Sequence, residues 1–301
     1  SDYLAPDFVR HLWAEAEPVK AVDGLRVGGD LRTLFPGVET DDALKFVVDV
    51  YEAVAAELNA VLKQRSVDRA FLDATTEACV ERNDGRSYLS PEYETPIGVR
   101  DADGRLVLGP HPESAEEPTV RVDVPHFIVG EQVTLFGPPD TAKMSINAMN
   151  ALHRRLPDEP SIIATLVERS GQVPRWGADN EDSKTPIMAN LLAATQNLMG
   201  CFAGTLRHEE PERNRVYALA EEGLSKPIKR IPGLALPDGN HLLKGCVLPL
   251  HLVDFALHLY HNWSRPEALV FYVPKLENEE EAAYFKGMIS AAELAISERH
   301  P

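Results

Sequence analysis

From about residue 126 onward, apolar segments of strand length alternate with longer segments of helix length. Strands that alternate with helices along a chain usually pair in parallel, because each helix carries the chain back across a face of the sheet. The pattern therefore predicts an α/β fold in which helices cover a parallel sheet. The predicted strands are residues 132–136, 162–168, 173–178, 228–236 and 269–274, and the predicted helices are 142–155, 186–204, 216–223, 248–262 and 279–298.

The part of the chain before this alternation is predicted to be mainly helical. From Asp41 onward, apolar residues recur at steps of three and four, which is the spacing of one helix face, and Thr40 is suited to cap that helix. A second helix is expected at about residues 66–80. Residues 1–40 contain glycine and proline breaks and are expected to form an extension that packs on another part of the protein.

A stretch rich in turn-forming residues marks the expected domain boundary. Asp103-Gly104 lies between two short apolar runs and predicts the turn of a hairpin. The acidic, proline-bearing residues 111–118 follow it and predict a loop. We therefore expect an N-terminal domain at residues 1–125, with the extension, the helices and the hairpin, and a second domain at residues 126–301.

The charge of the chain limits its partners. Its 301 residues carry 47 acidic and 30 basic side chains, a formal net charge of −17. Nucleic acid and anionic membranes both require a basic face, so neither is expected as a partner. The three cysteines lack the spacing of metal ligands and are expected to be reduced thiols. We expect no transmembrane helix and no secretory signal, and predict a cytoplasmic location.

Three acidic residues follow a predicted strand. Asp179, Glu181 and Asp182 come directly after the apolar segment that ends at Ala178. Side chains two residues apart on an extended chain point the same way, so Asp179 and Glu181 are expected on one side. They could hold waters on a divalent cation or fix an arginine. Alternatively, the acids complement the dipole of the helix predicted to begin at Pro186.

Arg230 enters a predicted strand that is otherwise largely apolar. A charged side chain in such a strand must be paired or must face a cleft, because an unpaired buried charge is costly. The alternative interpretation is a surface base that belongs with Lys226 and Lys229.

Several segments together resemble the malate synthase family. Residues 137–150 are similar to the family pattern GPxDRKMxINALNSG, with one extra residue in Thr141-Ala142-Lys143, and residues 178–182 are similar to ADFEDS. Residues 253–262 are similar to VDFALYFFHN and residues 271–278 to YFYLPKxES. Arg230 stands at the first arginine of the family segment RPRGWHL, whereas Pro232, Leu234 and Ala235 depart from it.

The resemblance implies a fold and a reaction. The fold is a (β/α)₈ TIM barrel after an N-terminal helical clasp, of which this chain is expected to hold the clasp and the first half of the barrel. The reaction is the Mg²⁺-dependent Claisen condensation of acetyl-CoA with glyoxylate, which gives malate and CoA in the glyoxylate cycle. Acetyl-CoA and glyoxylate are therefore the expected partners, and self-association is left open.

The resemblance also implies roles for individual residues. Arg230 is expected to bind glyoxylate and to stabilise negative charge in the transition state. In the family, the direct Mg²⁺ ligands and the catalytic aspartate follow the part that this sequence matches, so no direct metal ligand is identified here. The candidate catalytic residues are Arg230, Asp179 and Glu181. The two acids are also possible outer-shell groups for Mg²⁺. The candidate substrate-binding residues are Lys275, Glu277 and Lys143.

Two sets of alternatives stay open at the level of sequence. A complete barrel takes about 250 residues, so the chain is expected either to be the N-terminal part of a longer enzyme or to complete its barrel with another chain. The activity could also be that of a CoA-ester lyase acting on malyl-CoA or citramalyl-CoA, or the protein could be a non-catalytic binding module. His258 and His261 have the spacing of a metal pair, but we interpret their segment as helix packing.

Overall fold

A computed structural model describes residues 16–82, 100–105, 123, 134–153, 157–182 and 187–301. The strands are β1 Glu17–Pro18, β2 Leu25–Val27, β3 Thr134–Gly137, β4 Arg175–Asp179, β5 Arg207–Glu210, β6 Arg215–Ala218, β7 Lys226–Arg230, β8 Pro237–Leu243, β9 Cys246–Pro249 and β10 Phe271–Tyr272. The α-helices are α1 Leu31–Leu34, α2 Asp41–Arg82, α3 Ala142–Met149, α4 Ser161–Ser170, α5 Met188–Ala203, α6 Leu250–Asn262 and α7 Glu279–Arg299.

The chain divides into two units. The first contains residues 1–52, 124–275 and 292–301, and the second contains residues 53–123 and 276–291. The boundary predicted between residues 125 and 126 lies outside the described residues and stays a prediction.

A four-stranded parallel sheet forms the centre of the first unit, with strand order β10-β7-β4-β3. Every residue of β4 is buried, as expected for a central strand covered on both faces. Trp176 and Ala178 of β4 pack with Met149, Leu198 and Cys201 in the core. The predicted α/β fold with a parallel sheet is thus confirmed, while the (β/α)₈ barrel stays a prediction.

A second, antiparallel sheet with order β1-β2-β8-β9 was not predicted from the sequence. Strands β8 and β9 are joined by Lys244 and Gly245, which both have positive φ, the conformation that the tightest hairpin turns require. Residues 17–27, expected only to be an extension, supply the two remaining strands of this sheet.

Two predicted elements are wrong. Residues 162–168, predicted as a strand, lie in helix α4, which ends at Gly171 with φ +61°. A short apolar run does not by itself distinguish strand from helix, and the glycine that ends the helix is the better signal. Residues 216–223, predicted as a helix, begin in strand β6, because β6 pairs with β5 as an antiparallel hairpin.

The remaining predicted strands and helices are present with shorter or shifted bounds. The strand predicted at residues 228–236 corresponds to β7, Lys226–Arg230, and residues 231–236 lie in the loop that follows it. Helix α2 is one continuous helix rather than two, because no glycine or proline separates residues 61 and 66. Its predicted cap is present, since Thr40 Oγ1 accepts a hydrogen bond from the Ala43 N–H at 3.2 Å.

Charge pairs between α2, α7 and the turn at residues 101–105 hold the second unit together. Glu281 of α7 is fully buried and accepts two hydrogen bonds of 2.7 Å from the Arg65 guanidinium of α2. Arg105 bonds to Asp68 and to Glu280. The predicted hairpin turn is present, because Gly104 N–H donates to the Asp101 carbonyl at 3.0 Å. The strands predicted on either side of it lie outside the described residues.

A buried imidazole stabilises the first unit between two carboxylates. His241 of β8 bonds through Nδ1 to Asp238 at 2.6 Å and through Nε2 to Glu39, and all three side chains are fully buried. Burial alone lowers the pKa of His241, but the charges of Asp238 and Glu39 outweigh it and hold the pKa well above its usual value of 6.5.

This raised pKa predicts that stability falls at alkaline pH. The protonated imidazole contributes stability fully below pH 6.5, the unfolded value, and the contribution is lost as the pH rises through the folded-state pKa. The free energy of unfolding of the parent should exceed that of His241→Gln most at acid pH. Urea unfolding of both proteins across the pH range measures this difference, and a difference independent of pH would contradict the prediction.

Candidate functional site

The candidate site lies at the carboxyl edge of the parallel sheet. Asp179 and Arg230 are the last residues of the neighbouring strands β4 and β7 and stand opposite each other in register. Tyr272, the last residue of β10, is paired with Arg230 on its other side. Ligands of α/β proteins bind at this edge, because the loops that follow parallel strands converge there.

Arg230 is held by three carboxylates. Its Nη1 lies 3.3 Å from Asp179 Oδ2 and its Nη2 lies 2.5 Å from Glu181 Oε2, and Nη2 also donates to Asp182 Oδ2. The arginine side chain is 12% exposed, and its guanidinium carbon lies 5.3 Å from the centre of the Tyr272 ring. The prediction of a paired arginine is confirmed, and the alternative of a surface base is wrong.

The turn after β4 explains why the acids face the arginine. The Asp179 carboxylate accepts hydrogen bonds from the N–H groups of Glu181, at 2.9 Å, and of Asp182, at 3.3 Å. An aspartate that bonds to backbone groups just ahead of it bends the chain locally. Because of this bend, the side chains of Glu181 and Asp182 turn back toward Arg230.

Lys275 adds a second cation beside Arg230. Together with Asp179, Glu181 and Asp182, these two cations form the cluster. Its Nζ lies 2.8 Å from Glu181 Oε1 and 2.8 Å from Asp182 Oδ1. Its backbone has φ +56°, a left-handed conformation that costs energy for a residue with a side chain. A Cβ on Gly233, in the loop after β7, would lie only 2.9 Å from Glu181 Oε1. A glycine at this position therefore leaves room for the Glu181 carboxylate.

The contacts within the cluster stabilise the ionised forms of Asp182, Lys275 and Arg230. Hydrogen bonds from Lys275 and Arg230 lower the pKa of Asp182 to about 2, and those to Asp182 and Glu181 raise the pKa of Lys275. Burial alone would lower the pKa of Arg230, but the hydrogen bond to Asp182 and the charges of Asp179 and Glu181 raise it. With three acidic and two basic side chains, the cluster has a formal net charge of −1.

Two candidate substrate-binding residues have other partners. Lys143 Nζ lies 2.5 Å from Glu210 Oε1 and 4.8 Å from the centre of the Tyr217 ring, so it contacts the β5–β6 hairpin. Glu277 belongs to the second unit, where its carboxylate lies 3.6 Å from Arg65 Nε. The structure therefore brings together Arg230, Asp179, Glu181 and Lys275 of the predicted residues, and the roles of Lys143 and Glu277 stay predictions.

A buried ion pair behind the cluster was missed in the sequence. Lys229 Nζ lies 2.8 Å from Asp254 Oδ1 on α6, and Asn180 Nδ2 donates to the same oxygen at 2.9 Å. Burial lowers the pKa of Lys229 and raises that of Asp254, while their attraction opposes both shifts. Lys229 and Asn180 directly neighbour Arg230 and Asp179, so this pair ties α6 to the strand ends that carry the site. A lysine beside an arginine in an apolar strand, and an aspartate in an apolar helix, were the available signals.

The described residues do not supply a complete metal site. No group of three or more His, Cys, Asp or Glu side chains in the described ranges is arranged to hold a metal ion. His258 and His261 bond through Nε2 to the carbonyls of Ala268 and Val38, which confirms that they serve packing. In the part of the chain that the structure describes, no helix combines the length and the apolarity needed to cross a lipid bilayer.

Comparison with known proteins points to one family name. The chain is 28% identical to the glyoxysomal malate synthase of Glycine max over 278 residues, and 27% identical to that of Ricinus communis over 278 residues. Each match covers 90% of this chain. A malate synthase of Oryza sativa subsp. japonica is 29% identical over 177 residues.

The resemblance to malate synthases is confirmed. No protein-family model matches the chain. The chain spans 41% of the length of the Glycine max and Ricinus communis malate synthases that it matches.

The buried pair behind the site yields a prediction about stability. Lys229→Met leaves Asp254 buried without its cation, and breaking a buried pair in this way costs about 3–5 kcal/mol. The double variant Lys229→Met/Asp254→Asn removes both charges and keeps an acceptor for Asn180, so it should unfold at higher urea concentration than the single variant.

Urea unfolding of the parent and both variants measures this effect. Lys45→Met is the control, because Lys45 is 56% exposed and lies 3.6 Å from Asp49. Its loss should change stability little, as expected for a surface pair. A double variant no more stable than Lys229→Met would contradict the account of Lys229 and Asp254 as a mutually neutralising pair.

Proposed function

We propose that this chain carries the arginine site of a malate-synthase-type enzyme. In the proposed reaction the methyl carbon of acetyl-CoA forms a bond to the aldehyde carbon of glyoxylate, and hydrolysis of the thioester then releases CoA and malate. The observation that carries the proposal is the Arg230 cluster, which lies at the carboxyl edge of the sheet in a chain similar to malate synthases over 90% of its length.

Arg230 supplies positive charge where the reaction develops negative charge. When the carbon nucleophile attacks glyoxylate, the aldehyde oxygen becomes an alkoxide. A guanidinium fixed before the reaction stabilises that oxygen without further reorganisation, and loss of one such donor typically costs a factor of about 10² to 10³ in rate. The burial of Arg230 strengthens this interaction, because water screens it less.

Asp179 and Glu181 act as positioning residues in this proposal. Both are more than 90% buried and both bond to Arg230, so they fix the orientation of the guanidinium. Lys275 supplies a second positive charge, and together with Arg230 it forms the place for the carboxylate of glyoxylate. Removal of the methyl proton of acetyl-CoA is not assigned to either acid, since each already accepts hydrogen bonds from the cluster.

The resemblance implies Mg²⁺, which would polarise the aldehyde as a Lewis acid when bound. The described acids of the cluster are engaged by Arg230 and Lys275 and do not form a direct ligand set. Asp179 and Glu181 stay candidates for contacts to its waters. The cytoplasmic location likewise stays a prediction.

The test is the release of CoA from acetyl-CoA, followed with a thiol reagent in the presence of glyoxylate and Mg²⁺. Arg230→Lys should lower kcat about 10² to 10³-fold, because lysine does not reproduce the fork that two carboxylates orient. Arg207→Lys is the control, since Arg207 is 59% exposed and pairs with Glu209 on the β5–β6 hairpin.

The outcomes separate the candidate functions. Release of CoA that requires glyoxylate and depends on Arg230 supports the condensation. Cleavage of malyl-CoA without net condensation would favour the lyase. Folded protein that neither releases CoA nor binds glyoxylate in calorimetry would contradict the proposal, because both proposed contacts of glyoxylate, Arg230 and Lys275, lie in this chain.

A further inference from the structure

Asp182 differs from the two other acids that hold Arg230. Its side chain is 50% exposed, whereas those of Asp179 and Glu181 are 9% and 2% exposed. It makes contact with both cations of the cluster, through Oδ2 to Arg230 Nη2 and through Oδ1 to Lys275 Nζ. Asp182 is therefore a solvent-facing carboxylate that bridges a guanidinium and an ammonium group.

The contacts of Asp182 can be exchanged at low cost. Lys275 is itself 59% exposed, and ion pairs between exposed groups contribute little because water screens and solvates both partners. Glu181 also bridges Arg230 and Lys275, but it is buried and its departure would leave charge without solvent. Of the three acids, Asp182 is thus the one that can turn into water while the other two keep Arg230 in place.

We propose that Asp182 is an internal competitor that occupies the place of a small carboxylate ligand on Arg230 and Lys275. An incoming carboxylate takes over the two contacts as Asp182 turns to solvent. No bond is made or broken in the exchange. The inference deepens the proposed function by assigning a small carboxylate as the group bound at the outer side of the cluster, and it rests on that proposal for the identity of the substrate.

The charge balance determines the direction of the effect. With Asp182 ionised the cluster has a net charge of −1, which disfavours a second anion. When a ligand carboxylate replaces Asp182 in contact with Arg230 and Lys275, the net charge of the contacting groups stays at −1 and no excess negative charge is added. Removal of the Asp182 charge should therefore strengthen carboxylate binding, whereas removal of a residue that binds the substrate should weaken it.

The test is calorimetric titration with oxalate, a two-carbon dicarboxylate without an aldehyde, in buffer without divalent cations or acetyl-CoA. Asp182→Asn should bind oxalate about fivefold more tightly than the parent, the gain expected when a competing exposed ion pair of about 1 kcal/mol is lost. Asp182→Ala should show a similar gain, which separates the loss of charge from any new contact of the asparagine amide.

Glu52→Gln is the matched control. Glu52 is 49% exposed and lies 2.8 Å from Lys244, which is 61% exposed, so the substitution removes the same charge from a similar ion pair outside the cluster. Its affinity for oxalate should equal that of the parent. Melting temperatures of all variants show whether each one is folded, and either Asp182 variant suffices for the comparison.

The result that overturns the inference is oxalate affinity in folded Asp182→Asn or Asp182→Ala that equals or falls below that of the parent. An equal gain in Glu52→Gln would also overturn it, as would the absence of binding in parent and variants up to the solubility limit of oxalate. Failure of the proposed function is a separate observation. If CoA release is absent but the Asp182 variants gain affinity, the carboxylate site stands without the condensation.

Discussion

Two adjacent cations on strand β7 determine much of the structure around the site. Lys229 and Arg230 point to opposite faces of the sheet, because successive side chains of a strand alternate. Both are largely removed from water and must therefore be neutralised. Asp254 of α6 meets this need on one face, and the acids that follow β4 meet it on the other. The position of α6 and the turn after Asp179 are thus linked through one strand.

The sequence predicted the parts of the site that depend on strand order. Acids at the end of one parallel strand and a base at the end of the next must meet at one edge of the sheet, so the pairing of Asp179 with Arg230 was accessible. The contacts of Lys143 could not be predicted from the sequence. They depend on the hairpin β5–β6, whose second strand was predicted as a helix. The antiparallel sheet pairs β2 with β8, which are far apart in the sequence. Such pairing leaves little local pattern in the sequence from which it could be predicted.

Apolar residues stand at the positions near Arg230 where the sequence departs from the family segment. Of the residues that depart from the family segment, Pro232 and Leu234 are buried, and their apolar side chains make no polar contact with the charged cluster. Gly233 matches the family segment at the position where a side chain would press on Glu181. The arginine and the space around its partners are therefore retained while the neighbouring positions are occupied by apolar residues.

The central claim is that Arg230 and its carboxylates form a binding site for a small carboxylate substrate. A crystal structure of this chain with glyoxylate tests it most directly. The account predicts glyoxylate within hydrogen-bonding distance of Arg230 and Lys275, with Asp179 and Glu181 still bonded to the guanidinium and Asp182 turned to solvent. Glyoxylate bound elsewhere, with all three acids still on Arg230, would contradict it.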